Sequence, residues 1–551
     1  FVSLFDENLG MDLTKEIPVL PKAVEAMPQY LFPNRMVCGF GDTHPSTLRT
    51  DIFRYMIQNA RTHGKSEEER KFTAMLKLFD PSSSLPVAER GKAPVAITSF
   101  FVGKPLVLDE KVKAGQIDDY VTPTFYAPNV SWLVQRNGMN SRHSLMVSLN
   151  GSEGNHMHAN GISMELYGKG YVLGPDAGIG KTLYQGLDYL EYYSQFPSHN
   201  TVCVDGISSY PVMKSNHSFK LRALYPATGE RIPYQPISYS EVYFREPETF
   251  ADQTRLNGIV NVGDSAGYYI DIFRSRKVEG GDKMHDYFYH NLGQQMTLTA
   301  ADGSELELQP TQELAFAGAH LYAYSYIYNK KRAVTSKDVK AGFTIQMPDK
   351  DDITMNLWMK GEEGREIFSA LSPMTEGLSR IKNMPYSIKD QPTLTFVARQ
   401  KGEAWNRPFV AVYEPSTLKE PSCIASVDYP QVKSEQQGSH VGIRVALTNG
   451  NVDWILSSDE NAHHCKLEKL QARAGYALCR QSEKGETLQA FLGNGTQLEA
   501  DGVSIRTDAP ADVLLLKQDG KWMYTATAPC RVVVGKKKYT LSVSKELRLL
   551  K

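Results

Sequence analysis

Three polar side chains in the first half of the chain have the types and the spacing of a metal-ligand set. His158 is followed by Asp176 18 residues later and by His199 after a further 23 residues. Two imidazoles and a carboxylate are a natural ligand set for a divalent metal such as zinc. His156 precedes His158 by two positions, and side chains at i and i+2 of a strand point the same way. The spacing therefore predicts a metal site that faces a cleft, with the His156 imidazole beside it and free for proton transfer.

Short strands are predicted to carry these side chains. Runs at 145–149, 162–167, 171–173 and 201–204 read as strands joined by polar or glycine-bearing turns. We therefore expect three neighbouring strands to offer one ligand each. The intervening loop at 178–194 is rich in tyrosine, a residue type that serves in proton transfer. The tyrosines of this loop are Tyr184, Tyr189, Tyr192 and Tyr193.

The pattern along the whole chain changes from helical to strand-like near residue 90. Apolar spacing and helix-start signals predict helices at 20–30, 47–61 and 67–79, which read as the tail of a larger helical body. From about residue 96, runs of β-branched and aromatic residues alternate with turn residues, which predicts large antiparallel sheets. We expect an α+β, mainly β chain in three parts. These parts are a helical segment at 1–90, a large antiparallel β-sheet domain with the metal site at 91–483, and a small C-terminal β-sandwich at 484–551.

Composition excludes several classes of partner and site. The 61 basic and 62 acidic residues give a net charge of −1, which argues against a nucleic-acid partner or an anionic membrane surface. No apolar run approaches the roughly 18 residues that a membrane span needs. The six cysteines are scattered without a CxxC motif, which argues against a cysteine zinc site and a dense disulfide framework. Cys465 and Cys479 could pair across a hairpin, and free buried thiols are the alternative.

Longer stretches of the chain carry a family resemblance. NHMHANGISMELYGKGYVLGPDAG at 155–178 is followed by FPSHNTVCVDG at 196–206, RSRKVEGG at 274–281 and HDYFYH at 285–290. In order and spacing these motifs resemble the sheet domain of the heparinase II/III-like polysaccharide lyases, over roughly residues 90–420. The resemblance implies an N-terminal (α/α) toroid, a large antiparallel β-sheet domain and a small C-terminal β domain. Since only a short helical stretch precedes the sheet domain, we expect most of the toroid to be absent from this chain.

The resemblance also implies an activity and a role for each site residue. It makes His156 a catalytic or substrate-contacting histidine, and it makes the metal-ligand set the ligands of a zinc ion that organises the site. Tyr184 lies near the position of a catalytic tyrosine, and the other tyrosines of the loop are alternatives, with Tyr189 also a candidate for substrate contact. The implied reaction is cleavage next to a uronic acid by metal-assisted β-elimination, in a periplasmic, cell-surface or secreted bacterial enzyme. A metal-dependent glycan hydrolase and a non-catalytic carbohydrate-binding β protein are the alternatives.

Further polar residues are candidates for the edge of the cleft. Arg136 and Asn137 precede a predicted strand, where they bind a substrate carboxylate or form a turn. His290 lines the cleft or packs within the sheet. Residues 41–44 edge the cleft or cap a helix, with the cap preferred, and the histidine pair at 463–464 is expected to be exposed to solvent.

Overall fold

The computed structural model describes most of the chain and divides it into two compact units. The described residues are 2–43, 45–84, 106–180, 187–208, 214–315, 322–375, 378 and 384–551. The first unit comprises residues 1–38 and 46–122, and the second comprises residues 39–45 and 123–551. The predicted boundary between residues 90 and 91 lies outside the described residues.

The first unit is helical, as the apolar spacing predicts. Its elements are α1 (Val2–Leu9), α2 (Leu13–Glu16), α3 (Val19–Ala26), β1 (Met36–Val37), β2 (Ser46–Thr47), α4 (Asp51–Thr62) and α5 (Ser66–Phe79). Phe53 and Ile57 of α4 are buried with Phe72 and Leu76 of α5. Each pair is four residues apart, so it lies on one face of its helix. The three predicted helices are present with slightly shifted bounds, and the toroid to which we assign them stays a prediction.

The second unit is built from strands. Its first strands are β3 (Thr124–Ala127), β4 (Trp132–Arg136), β5 (Met146–Asn150), β6 (Ser152–Asn155), β7 (Ser163–Gly168), β8 (Tyr171–Gly174) and β9 (Val202–Val204). There follow β10 (Lys214–His217), β11 (Lys220–Tyr225), β12 (Ile237–Arg245), β13 (Ala251–Asn261), β14 (Gly267–Lys277), β15 (Met284–Asn291), β16 (Gln295–Ala300), β17 (Gln309–Pro310), β18 (Tyr328–Thr335), β19 (Val339–Ile345), β20 (Ile353–Met359), β21 (Arg365–Ser372), β22 (Thr393–Lys401) and β23 (Ala404–Thr417). The last are β24 (Ile424–Asp428), β25 (Lys433–Ser434), β26 (His440–Leu447), β27 (Val452–Ser458), β28 (His464–Leu467), β29 (Leu470–Gln481), β30 (Thr487–Ala500), β31 (Val503–Gln518), β32 (Lys521–Ala526), β33 (Cys530–Val534), β34 (Lys537–Leu541) and β35 (Ser544–Leu549).

These strands form antiparallel sheets, which confirms the predicted mainly β architecture. A five-stranded sheet has the order β3-β4-β5-β7-β8, and an eight-stranded sheet has the order β11-β12-β13-β14-β23-β20-β19-β16. A six-stranded sheet has the order β17-β18-β21-β22-β15-β9. The C-terminal sheet has twelve strands, from β24 to β35. The predicted boundary at residue 484 falls between β29 and β30, which are neighbours in this last sheet.

The eight-stranded sheet is buried on both faces. Along β14, Tyr269 and Phe273 join the core cluster that contains residues of the five- and six-stranded sheets. The alternate residues Tyr268 and Ile272 join a second cluster with residues of the C-terminal sheet. The period of two in strand side chains explains this division. It also explains why residues of both alternations are apolar over Tyr268–Phe273, with Asp271 as the exception.

Two expectations drawn from composition concern the pairing of the cysteines and the presence of membrane spans. All six cysteines are buried and free, so the suggested Cys465–Cys479 pair is wrong and the free-thiol alternative is confirmed. Among the described residues, no helix combines the length and the apolar character needed to cross a bilayer.

Candidate metal centre and the histidine beside it

The structure brings the three residues of the metal-ligand set together. One donor atom from each of His158, Asp176 and His199 lies within 4.8 Å of the others, and all three side chains are buried. Nδ1 of His158 and Nε2 of His199 are buried without a hydrogen-bond partner among the described residues. A buried polar atom with no partner costs about 1–3 kcal/mol. An ion bound here would satisfy both nitrogens, so the residues fit a divalent metal.

The ligands are held by loops at strand ends, which corrects the predicted strand geometry. His156 and His158 follow the end of β6, and His156 has a positive φ of 59° that no regular strand adopts. Asp176 lies two residues beyond β8, and His199 follows a short helical turn, Phe196–Ser198. The expectation of three neighbouring ligand strands is wrong, because β8 and β9 belong to different sheets.

Asp42 joins the exposed histidine to the buried ligands. Its Oδ2 lies 2.9 Å from Nδ1 of His156, and its Oδ1 lies 3.0 Å from Nε2 of His158. The Tyr189 hydroxyl donates to the same Oδ1 at 2.5 Å. Burial acts to raise the pKa of Asp42, but the hydrogen bonds from His158, Tyr189 and His156 outweigh it and hold that pKa below its usual value. A carboxylate bonded to one nitrogen of a histidine fixes the tautomer that offers the other nitrogen to a metal.

Residues 41–43 therefore edge the site, and the preferred helix-cap interpretation is wrong; residue 44 lies outside the described residues. The N-cap of α4 is Thr50, well beyond this segment. The backbone N–H of Asp42 donates to the carbonyl of His156 at 2.9 Å. Gly41 permits this approach, because a Cβ there would lie 2.3 Å from the same oxygen and its φ is +53°. The sequence offered Asp42 as an alternative cleft residue, but it gave no signal that this carboxylate bonds both His156 and His158.

His156 is the exposed member of the group. Its side chain is 62% exposed, whereas Asp42 beneath it is 6% exposed. Since Nδ1 faces Asp42, Nε2 is the nitrogen left for another group. An exposed imidazole oriented by a buried carboxylate is the usual arrangement of a histidine that transfers protons.

Two further carboxylates, those of Asp176 and Glu165, lie on the other side of the centre. Asp176 lies 3.1 Å from Nδ1 of His199 and accepts from the Gly178 N–H. Burial lowers the pKa of His199, which keeps this imidazole neutral as metal binding requires. Glu165 accepts from the N–H groups of Asp176 and Gly39. Burial and the neighbouring Asp176 charge raise the pKa of Glu165 to about 8.

Arg255 of β13 fixes the backbone on both sides of the ligands. Its Nη1 donates to the carbonyls of Ile162 and Asn200, at 2.7 and 2.6 Å. Asn200 directly follows His199, and Ile162 lies in the segment that carries His158. The guanidinium is fully buried and pairs with Asp271 through two hydrogen bonds of 2.9 and 2.7 Å. The site is therefore tied to the eight-stranded sheet.

Known proteins resemble the chain along most of its length. Residues 4–84 match the family described as endo-acting ulvan lyase 2nd domain. An endo-acting ulvan lyase of Formosa agariphila is 26% identical over 515 residues, which cover 87% of this chain and 60% of that protein. The chain is similar to these polysaccharide lyases. The predicted family resemblance is thereby confirmed, and this lyase relative extends well beyond the part that the chain matches.

Solved lyase structures are similar at a lower level. Heparinase III gives a TM-score of 0.42 at 12% identity, over 79% of this chain and 53% of that one. A heparan sulfate lyase of Pedobacter heparinus gives a TM-score of 0.40 at 11% identity, over 79% of this chain and 52% of that one. The chain thus spans about half the length of these lyases.

Several other residues predicted to bind substrate are structural. Arg136 is fully buried, so its assignment to substrate is wrong. Asn137 has the alternative turn role, because its side chain accepts from the Leu145 N–H and donates to Asn261. His290 is buried with Nδ1 against Thr395 and Nε2 against the Pro197 carbonyl, which leaves neither nitrogen for a ligand.

The tyrosines of the loop divide in the same way. Tyr184 lies outside the described residues. Tyr189 is 1% exposed and contacts Asp42, so it supports the site from beneath and does not line an open cleft. Tyr192 and Tyr193 are also buried. Tyr192 and Tyr193 follow Tyr189 by three and four positions in the helical turn Tyr189–Tyr193, so the three rings lie on one face of it.

Proposed function

We propose that the second unit carries the catalytic site of a polysaccharide lyase that acts on a uronate-containing glycan. The observation that carries the proposal is the exposed His156 imidazole, which shares one buried carboxylate with a cluster fitted for a metal. The similarity to endo-acting ulvan lyases supports the reaction class and makes ulvan the first substrate to test. The helical unit is proposed as the tail of the toroid, and a periplasmic, cell-surface or secreted location accompanies the proposed activity.

The reaction needs three groups around the uronate ring. A base removes the proton at C5, the electron pair forms the C4–C5 double bond, and the C4–O4 bond breaks. An acid gives a proton to the leaving O4. Because C5 lies beside a carboxylate, removing its proton builds further negative charge, which a positive or hydrogen-bonding group must stabilise. Each proton transfer by a positioned side chain contributes about 10²–10⁴-fold in rate.

His156 is placed for one of these roles. Its Nε2 is the nitrogen not held by Asp42, so it accepts the C5 proton or bonds the substrate carboxylate. Asp42 positions the ring and stabilises positive charge on it. Tyr184 stays our candidate for the second proton transfer. His158, Asp176 and His199 would hold a zinc ion, whose positive charge would fix the three ligand loops and favour the anionic substrate.

The product of the reaction provides the test. The full chain is incubated with ulvan and a panel of other uronate glycans while ultraviolet absorbance and reducing ends are followed together. Elimination raises both signals, because it creates an unsaturated uronate, whereas hydrolysis raises reducing ends alone. His156→Ala should lose at least 100-fold of the activity. His464→Ala, which changes a histidine outside the site, should keep it.

Three results would reject the proposal. New reducing ends without new absorbance would identify a hydrolase. Full activity of His156→Ala on every cleaved glycan would remove that residue from catalysis. Binding without cleavage, unchanged in His156→Ala, would favour the carbohydrate-binding alternative.

A further inference from the structure

A second cluster of metal-binding side chains lies in the C-terminal sheet. His440 begins β26, and Asp459 and His463 lie in the turn between β27 and β28. One donor atom from each of the three lies within 4.8 Å of the others. All three are half-buried, so an ion reaches them from solvent without opening the fold. The prediction that His463 is simply solvent-exposed is therefore wrong.

A ring nitrogen of His440 faces a ring nitrogen of His463. Nε2 of His440 lies 3.2 Å from Nδ1 of His463. Two nitrogens bound to one tetrahedral zinc ion, each at about 2.0–2.1 Å, lie roughly 3.3 Å apart. The pair already has this separation. Without an ion, one of these two nitrogens must be protonated and donate a hydrogen bond to the other. A bound ion would instead accept the lone pair of each nitrogen.

The third ligand is oriented from both sides. Asp459 Oδ1 accepts from the Ser439 N–H at 3.0 Å, and Oδ2 accepts from the Trp405 indole N–H at 2.8 Å. Each carboxylate oxygen keeps a second lone pair for an ion. Gly438 leaves the space beside these atoms clear, because a Cβ there would lie 2.8 Å from Asp459 Oδ1 and 3.0 Å from His463 Nδ1.

The charges around the cluster are compatible with a cation. Arg274 is held by Ser439 and Ser457, Arg222 contacts Glu241, and Arg473 donates to the Ala462 carbonyl. Glu241 and Asp459 both face the Arg274 charge. Glu460 adds a further carboxylate on the exposed side of the turn. The carboxylates thus offset the guanidinium charges of the region, and the two imidazoles supply the nitrogen ligands.

We propose that His440, Asp459 and His463 bind a divalent transition metal of the zinc type. The ion joins the start of β26 to the turn after β27. Trp405 of β23 and Arg274 of β14 contact this same region, so the ion stabilises the seam between the eight-stranded and the C-terminal sheets. Three protein ligands leave room for a water molecule, and the role is structural. This site is separate from the candidate metal centre and does not depend on the proposed lyase activity.

Counting bound metal tests the proposal. The full chain is stripped with a chelator and titrated with Zn²⁺, and with Co²⁺ to follow the visible bands of a tetrahedral site. The wild type should bind two equivalents. His463→Gln and His440→Gln should each bind one, and so should His158→Gln, which removes the other centre. His464→Gln is the matched control and should still bind two.

Thermal unfolding gives a second measurement. The zinc-dependent rise in Tm should persist in His158→Gln and shrink in His463→Gln. A wild type that binds no equivalent overturns the proposal, and so does a His158→Gln protein that binds none. The first of these counts needs no variant to fold. Retention of the second equivalent in both His440→Gln and His463→Gln also overturns it, because the ion would then lie elsewhere.

Discussion

Arg255 offers the sharpest test of how the fold holds the candidate metal centre. Arg255→Met removes a guanidinium that is fully buried against Asp271. Removing one partner of a buried ion pair costs about 3–5 kcal/mol, because the other charge stays buried. Among the described residues, Asp271 keeps donors from Asn257 and Tyr287. The Ile162 carbonyl loses the Arg255 donor, and the Asn200 carbonyl also loses it but keeps the Met164 N–H at 3.2 Å. Since these costs overlap, we expect the free energy of unfolding to fall by about 4–6 kcal/mol.

A double variant separates the charge from the lost hydrogen bonds. Arg255→Met combined with Asp271→Asn removes both charges and leaves a neutral amide. We expect the double variant to recover about 2 kcal/mol relative to Arg255→Met alone, because no uncompensated carboxylate remains. Urea unfolding followed by tryptophan fluorescence measures all three proteins, together with Asp271→Asn. A loss below about 1 kcal/mol in Arg255→Met would refute the reasoning. So would a double variant whose loss equals the sum of the two single losses.

Three further predictions concern the site and its surroundings. Asp42→Asn keeps the side-chain shape but removes the charge that orients two imidazoles, so zinc affinity measured by titration should fall about 10–100-fold. Gly41→Ala should lower both zinc affinity and Tm, because the added Cβ would meet the His156 carbonyl. Gly64→Ala is the control: Gly64 also has a positive φ, +65°, but an added Cβ there meets no atom within 4 Å, so only Tm should fall. Burial lowers the pKa of His290 to about 3, so as pH falls below about 6.5 the unfolded chain takes up the proton first and stability is lost. At pH 5 that loss is about 2 kcal/mol relative to pH 7.5, and urea unfolding at the two pH values should show it shrink in His290→Gln.

Residue type and spacing were sufficient to identify the metal-ligand set but not the backbone that holds it. The sequence predicts that His158, Asp176 and His199 lie together because a divalent metal takes such donors, whatever element carries them, and the structure brings them together. The strand assignment for His156 failed because a positive φ in a non-glycine residue depends on contacts with a distant segment. That segment contains Asp42, which lies 114 positions away from His156, and no local pattern links the two.

Burial was the other limit on sequence reasoning. The alternation along a strand shows which side chains share a face, but it does not show whether another sheet covers that face. Arg136 and His290 were assigned to a cleft for this reason, and both lie inside the fold. The two His-containing clusters differ in the same respect, since the set around His158 is fully buried and the set around His440 is half-buried.

The shared carboxylate couples the two parts of the candidate site. Asp42 is hydrogen-bonded both to the exposed His156 and to the buried His158. A movement of one imidazole therefore shifts the carboxylate that the other imidazole contacts. An ion that only organises the ligand loops would therefore still control the orientation of His156. Loss of the ion would leave His158 Nδ1 and His199 Nε2 buried and unbonded, and the loops would move to hydrate them. We therefore expect a metal with a purely structural role at this site to be required for activity as well.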